Sequence, residues 1–258
     1  FQVGDDVGTK SGCAPVIYTG NGGTQSITGV GFSPDLVWIK NRNNGSQDHA
    51  LFDTVRGDSM LLSSNKSTEE FESTARMVSI DNDGFTVGAD PATNNNGDGF
   101  ISWCWDAGDT TVTNNEGTIP SQVRSNGNFS VVNYSAGDNT SQVGHGLSNT
   151  PSFILTKPRQ SSAVSWNVYH SSIGVNAFLR LQTVDSQIVD TAHWGNVNST
   201  TFGTKLAGDN SLNDMIAYCW AEVPGASSFG DYNGTGTDQT IECGFEPAFV
   251  MIKATNSD

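Results

Sequence analysis

Pro34-Asp-Leu-Val-Trp-Ile-Lys40 decides the fold, because it returns as Pro151-Ser-Phe-Ile-Leu-Thr-Lys157 and again as Pro247-Ala-Phe-Val-Met-Ile-Lys253. In the first copy Leu36, Trp38 and Lys40 alternate with Val37 and Ile39, so both faces of an extended segment carry apolar side chains. That pattern predicts a buried strand. Proline stands at its first position, where a missing amide donor does least harm to a ladder.

Working outward, each copy is preceded by an aromatic residue that opens a small-residue turn: Tyr18-Thr-Gly-Asn-Gly22, Tyr134-Ser-Ala-Gly-Asp138 and Tyr232-Asn-Gly-Thr-Gly236. The first two copies stay in register downstream, with Leu51-Phe52-Asp53 set against Val168-Tyr169-His170. They also close alike, on Ile101-Ser-Trp-Cys-Trp105 and Ile216-Ala-Tyr-Cys-Trp220. Self-similarity of this kind is the signature of tandem units. It predicts an N-terminal segment at 1–13, one unit at 14–108, a Thr/Asn/Gly-rich linker at 109–128, a second unit at 129–225 and the start of a third at 226–258. A unit holding only its opening strands cannot bury a core of its own. Either that last segment docks on a neighbour or the chain is a piece of something longer, and the second reading is preferred.

Within a unit, shorter strands are expected around Ala50–Val55, Met60–Ser63, Met77–Ile80 and Phe85–Val87. Asp83-Gly84 reads as a hairpin turn, since both residues tolerate positive φ. Ser67 to Arg76 leaves room for one or two helical turns. Ile101, Trp103 and Trp105 share one face of the closing strand, and the smaller Ser102 and Cys104 share the other. The expected fold class is all-β, with tandem β-sandwich, jelly-roll-like repeats of which the third is incomplete.

Composition agrees with a folded β protein. Hydrophobic residues make up 35% of the 258 and aromatic residues 9%, enough to pack, while charged residues are only 15%, so Ser, Thr, Asn and Gly carry the polarity. The formal net charge of −15, with no basic stripe, argues against a nucleic-acid partner. No apolar run approaches the ~20 residues needed to cross a bilayer, so membrane insertion is not expected. Cys13, Cys104, Cys219 and Cys243 are too sparse for a disulfide framework and show no Cys-x-x-Cys zinc spacing, so they read as thiols.

No catalytic, metal or cofactor residues emerge from the motifs. His49, His145, His170 and His193 fall in no metal spacing, and no Gly-x-Ser-x-Gly elbow accompanies them. Asp81-Asn-Asp-Gly84 resembles the start of a calcium loop, but the twelfth position is Ala92 rather than the required glutamate, so a hairpin turn is the better reading. Gly20-Asn-Gly-Gly23 opens no helix and reads as a turn instead of a phosphate cradle. Among the six tryptophans, Trp103, Trp105 and Trp220 lie on motif strands and are expected in the core. Trp166 and Trp194 sit on less regular segments and are the candidates for glycan contact.

Gly31-Phe-x-Pro-Asp-x-Val-Trp-Ile-Lys40, Arg56-Gly57, Asp83-Gly-Phe-Thr86 and Trp103-Cys-Trp105 together resemble a domain that recurs in tail-fibre and other virion structural proteins of phages, many of them marine. Trp166-Asn-Val-Tyr-His170, Trp194 and Tyr218-Cys-Trp-Ala-Glu222 look like a second copy, and Phe229 to Lys253 like the opening of a third. The resemblance covers about 14–258 and offers no catalytic residues to carry over. It implies a virion protein, of tail-fibre or tail-associated type, that contacts a host-surface glycan or receptor. The partners it implies are other virion proteins and copies of itself. A capsid decoration protein is the alternative, and a glycan-cleaving depolymerase a weaker one.

Overall fold

The computed structural model describes residues 12–135, 137–138, 140–191, 193–203 and 214–256. The first half makes β1 (Cys13–Thr19), β2 (Gln25–Thr28), β3 (Leu36–Asn41), β4 (Ala50–Asp53), β5 (Gly57–Leu62), β6 (Phe71–Glu72), β7 (Ser79–Asp81), β8 (Gly84–Val87), the one-turn helix α1 (Pro91–Asn94) and β9 (Gly99–Trp105). The second half makes β10 (Thr111–Asn114), β11 (Ser121–Ser125), β12 (Phe129–Ser135), β13 (Gln142–Gly144), β14 (Phe153–Pro158), β15 (Asn167–His170), β16 (Ala177–Arg180), β17 (Ile188–Val189), β18 (Thr201–Gly203) and β19 (Asp214–Trp220).

The fold is an all-β sandwich. One six-stranded sheet runs β1-β9-β3-β4-β5-β6, and one eight-stranded sheet runs β10-β11-β12-β19-β14-β15-β16-β17. From β12 onward the second sheet repeats the order of the first, strand for strand. In both, the closing strand lies between the opening strand and the Pro-led strand. Trp105 faces Cys13 on one side and Leu36 on the other, as Trp220 faces Phe129 and Phe153. Small outer sheets, β2-β8-β7 and β13-β18, accompany them.

Strand alternation explains how these layers stack. Leu36, Trp38, Leu51, Leu62 and Trp105 of the six-stranded sheet share one core with Phe129, Val131, Leu155, Ile216, Tyr218 and Trp220 of the eight-stranded sheet. The intervening residues Val37, Ile39, Phe52, Phe100 and Cys104 turn the other way, onto Ile27, Phe85 and Val87 of the first outer sheet. Val132, Tyr134, Ile154, Ala217 and Cys219 do the same towards Val143 and Phe202. Each large sheet is therefore apolar on both faces because it is covered twice, once by its own small sheet and once by its counterpart.

That arrangement corrects several expectations. Each unit layers its large sheet on its own small sheet, and the doubly apolar strands leave the second face of each large sheet for the other. The segment 109–128 is no free linker: β10 and β11 form a hairpin whose β11 pairs along β12 from Ser121↔Tyr134 to Ser125↔Ser130. Ser67 to Arg76 contains the edge strand β6 instead of helix, and the helix lies at Pro91–Asn94, where Asp90 accepts the Ala92 amide as an N-cap. The hairpin near 83 closes one residue earlier than expected, with Asp81 facing Gly84 across Asn82 and Asp83. Gly84 is required there, because a Cβ would lie 2.0 Å from the Ile27 carbonyl oxygen and φ is +148°.

No strand occurs among the described residues of 226–258, yet the segment is docked. Phe229 stacks on Phe153 at 5.9 Å, and Phe249 lies 5.5 Å from Trp103 and 5.6 Å from Trp105. Lys253 Nζ donates to the Thr183 carbonyl at 2.7 Å, and the Gln187 amide donates to the Thr255 carbonyl at 2.9 Å.

Candidate functional site

The lysine that ends each Pro-led motif has one job in all three copies: its ammonium donates to backbone carbonyls. Lys40 Nζ reaches Gln47 O, Lys157 Nζ reaches Ser67 O and Ser161 O at 3.0 Å, and Lys253 Nζ reaches Thr183 O. Burial pulls the Lys157 pKa down to about 8. These lysines hold loops and present no free cation.

Charge is also sunk between the two large sheets. Arg56 donates Nε to Asp53 Oδ2, Nη1 to Glu70 Oε2 at 3.3 Å, and Nη2 to the Tyr218 hydroxyl at 3.3 Å and to Leu51 O. Tyr218 donates in turn to Asp53 Oδ2 at 2.7 Å, and Arg159 grips Glu70 Oε1 at 2.7–2.8 Å while reaching Asn133. The side chains of Arg56 and Asp53 are fully buried. Burial alone pulls the Arg56 guanidinium pKa down, but Asp53, Tyr218 and Glu70 overcome it and hold the group charged. Burial, with Asp53 beside it, raises the Tyr218 phenol well above its ordinary range. This network joins the sheets, with Arg56 and Asp53 closed to solvent at its centre and Glu70 and Arg159 partly exposed at its edge. A second bridge joins Asp35 to Arg124 of β11 at 2.6 Å, with the Ala107 amide and the Thr54 hydroxyl also donating to Asp35.

Sequence-selected residues fall elsewhere than expected. Trp166 is fully buried and donates Nε1 to Ser63 O across the sheet interface at 2.9 Å. Trp194, 2% exposed, donates Nε1 to Ala177 O at 3.1 Å. The glycan-contact assignment for both is corrected: each indole found a carbonyl partner and a core position, so neither has a face to offer a sugar. The carboxylates of the Asp81–Asp83 turn are spoken for as well. Asp81 accepts Ser79 and Thr86 hydroxyls, and Asp83 accepts the Gly29 and Gly31 amides.

The surface with recognisable construction is the end of the six-stranded sheet, where the loops after β1 and β3 meet the loop before β9. Asn94, buried beneath it, accepts the Asn21 amide at 2.8 Å and donates to Asn21 Oδ1, Gly23 O and Gly88 O. Asn41 accepts the amides of Asn43 and Asn44, both at 2.9 Å, and donates to Asp98 Oδ2 at 2.8 Å. Asn43 Oδ1 receives the Gly99 amide, which locks the outer loop to the strand. Gly20 lets these backbones meet, since a Cβ there would fall 2.2 Å from Asn95 O. Tyr18 anchors the floor, stacking on Phe100 at 5.1 Å and donating to Thr93 O at 2.6 Å. Asparagine suits this role because one amide both donates and accepts.

Above that floor, Asn21, Gly22, Asn43, Asn44, Gly45, Ser46, Asn96 and Gly97 are exposed. Hydrogen bonds from Asn41 and Asn95 hold the Asp98 carboxyl below its ordinary pKa, so it stays ionised at neutral pH. The rim is a rigid, mostly uncharged array of amides, able to hydrogen-bond hydroxyl-rich or peptide ligands. Sequence reading took Gly20-Asn-Gly-Gly23 as an ordinary turn and did not single out the other stretches. What could have marked them is their clustering, since Asn41–Gly45 and Asn94–Gly97 both abut motif strands.

The histidines give a pH prediction. Trp38 Nε1, the Leu147 amide and the Ser172 amide donate to Nδ1 of His49, His145 and His170 respectively, at 2.8, 3.0 and 3.1 Å. Each ring is thus held neutral, and burial lowers all three pKa values, that of His49 to about 4. A base depressed in the folded state contributes stability that is present above its unfolded pKa, ~6.5, and lost as pH falls towards the folded value. The unfolding free energy from urea titrations is therefore expected to drop between pH 7 and pH 4.5, with a slope approaching ~1.4 kcal/mol per pH unit for each histidine protonated on unfolding. A flat free energy across that range would contradict the assignment.

Fold and site together define a double-layered all-β scaffold with a polar loop rim. A family model described as a domain of unknown function (DUF7483) matches residues 13–258, and the chain belongs to that family. The match spans both large sheets and the docked terminal segment. No curated protein and no solved structure matches the chain. No helix among the described residues is long and apolar enough to cross a membrane.

Proposed function

We propose that the chain is a structural and adhesive module of a phage particle, of tail-fibre or tail-associated type, which presents its Asn-rich rim to a host-surface glycan or receptor. The observation that carries this reading is the rim itself: exposed amides fixed by buried Asn41 and Asn94 on a scaffold whose sheets share one core. Preorganised loops bind with little ordering cost. The motif resemblance to virion proteins supports the setting. Weak contacts of this kind gain strength through several copies on one particle, so homo-oligomers and other virion proteins are the proposed partners.

Adsorption of the labelled protein to a panel of bacterial cells tests the reading, with Gly45→Arg as the comparison. A Cβ at Gly45 meets nothing within 4 Å, so the substitution blocks the rim and spares the fold. Adsorption to at least one strain is expected, weakened roughly tenfold by Gly45→Arg, the equivalent of ~1.4 kcal/mol. No adsorption, together with regular occupancy on capsid faces in images of the particle, would move the protein to shell decoration. Sugar release from host polysaccharide would make it a depolymerase.

A further inference from the structure

A cleft of about 480 Å³ lies where the first half meets the second, lined by Asp48, Lys66, Glu69, Phe71 and Arg76 from the loops around β4, β5 and β6 and by Ser162 from the loop after β14. Its size is that of a small-molecule site. Both halves fix its walls. Asn65 donates to Asp48 Oδ1 at 2.7 Å and accepts the His49 amide at 3.0 Å, while Lys66 Nζ lies 3.5 Å from the same Asp48 oxygen. The Ser67 hydroxyl donates to the Ser162 carbonyl at 3.3 Å, which ties the two sides together.

The apolar element of the cleft is one ring. Phe71 stands on the edge strand β6 and is 48% exposed, with the Arg76 guanidinium 5.7 Å from its centroid and Arg76 itself 3.1 Å from Asp90 Oδ2. A cation over one face steadies the ring without a packed core around it. Strand pairing does not demand these side chains. The register Leu51↔Leu62 and Leu61↔Phe71 recurs as Val168↔Leu179 and Phe178↔Ile188, a uniform shift of 117 positions (168 − 51 and 188 − 71). At that shift Asp48, Lys66, Glu69 and Phe71 are answered by Ser165, Thr183, Ser186 and Ile188, so the same sheet edge is built without the cleft's charges or its ring.

Charge narrows the ligand. The two carboxylates and two cations of the lining cancel, and Lys66 and Arg76 each already have a carboxylate neighbour, so a charged ligand would compete with an existing pair. A hydroxyl instead accepts from the cation while donating to the carboxylate, and leaves the pair in place. The C–H face of a pyranose carries the partial positive charge that an aromatic face attracts. We infer that this cleft binds a neutral pyranoside, stacked on Phe71, with its hydroxyls shared among Asp48, Lys66 and Glu69. The site is separate from the amide rim, and the inference does not rest on that reading.

Saturation-transfer NMR on the full chain tests it, with the methyl pyranosides of glucose, galactose and mannose as probes and glucuronate as the charged comparison. At least one methyl pyranoside is expected to bind, with a Kd on the order of 1–10 mM as suits a ligand of that size. Phe71→Ala and Glu69→Gln are each expected to weaken binding roughly tenfold, whereas Phe71→Tyr, which keeps the ring face, retains it. Phe71 and Glu69 are exposed, so thermal unfolding of the three variants is expected to match the parent. Absence of transfer to all three sugars, binding indifferent to Phe71→Ala, or tighter binding of glucuronate would overturn the inference. Cell adsorption that is weakened by Gly45→Arg while none of the three sugars binds would remove this site and leave the rim reading standing.

Discussion

Arg56→Ala is expected to lower the unfolding free energy by about 3–5 kcal/mol, the cost of leaving a buried charge without its partner. The substitution strips the fully buried Asp53 of its guanidinium and leaves Glu70 with Arg159 alone. The Tyr218 hydroxyl and the amides of Val55 and residue 56 would still donate to Asp53, but neutral donors alone leave the buried carboxylate without a counter-charge. The double replacement Asp53→Leu with Arg56→Met is expected to recover most of the loss, because apolar isosteres of a buried pair are often neutral. Urea unfolding of the two variants makes the test. A single variant within ~0.5 kcal/mol of the parent, the range of ordinary surface changes, would show that the network does not hold the sheets.

Trp166→Ala is expected to cost ~3–5 kcal/mol, the range for removing a large buried aromatic. The indole fills the shared core beside Tyr218, ring centroids 6.3 Å apart, and satisfies the Ser63 carbonyl of the opposite sheet. Trp166→Phe keeps most of the volume and removes one donor from a carbonyl that still accepts the Lys66 amide at 3.2 Å, so a smaller loss of ~0.5–1.5 kcal/mol is expected. Calorimetric or urea unfolding separates the two. If Trp166→Ala left stability untouched while abolishing adsorption to cells, the residue would belong to a ligand surface after all.

Much of the architecture was legible because it is written as alternation. Leu36 and Trp38 against Val37 and Ile39, or Ile216, Tyr218 and Trp220 against Ala217 and Cys219, demand cover on two faces, and the structure supplies it. The hairpin β10–β11 escaped notice because Thr-Val-Thr and Gln-Val-Arg hold a single apolar residue each, as suits an edge. Trp166 and Trp194 were misplaced because irregular flanking segments carry no period from which burial can be read.

The buried network was invisible for a different reason. Arg56 stands where the second unit has Ile173, so the repeat offered no hint of it, and its partner Tyr218 lies 162 residues away. Nor does the Asn-rich rim announce itself: Asn41–Gly45 and Asn94–Gly97 are ordinary turns until the sheet order sets them side by side. The primary structure by itself determined that the strands are β, repeated, and apolar on both sides, since side-chain period and self-similarity are local properties of the chain. Which face covers which and where Arg56 finds its carboxylates were decided only by tertiary structure, because hydrogen-bond ladders and desolvated charge depend on neighbours that sequence distance does not reveal.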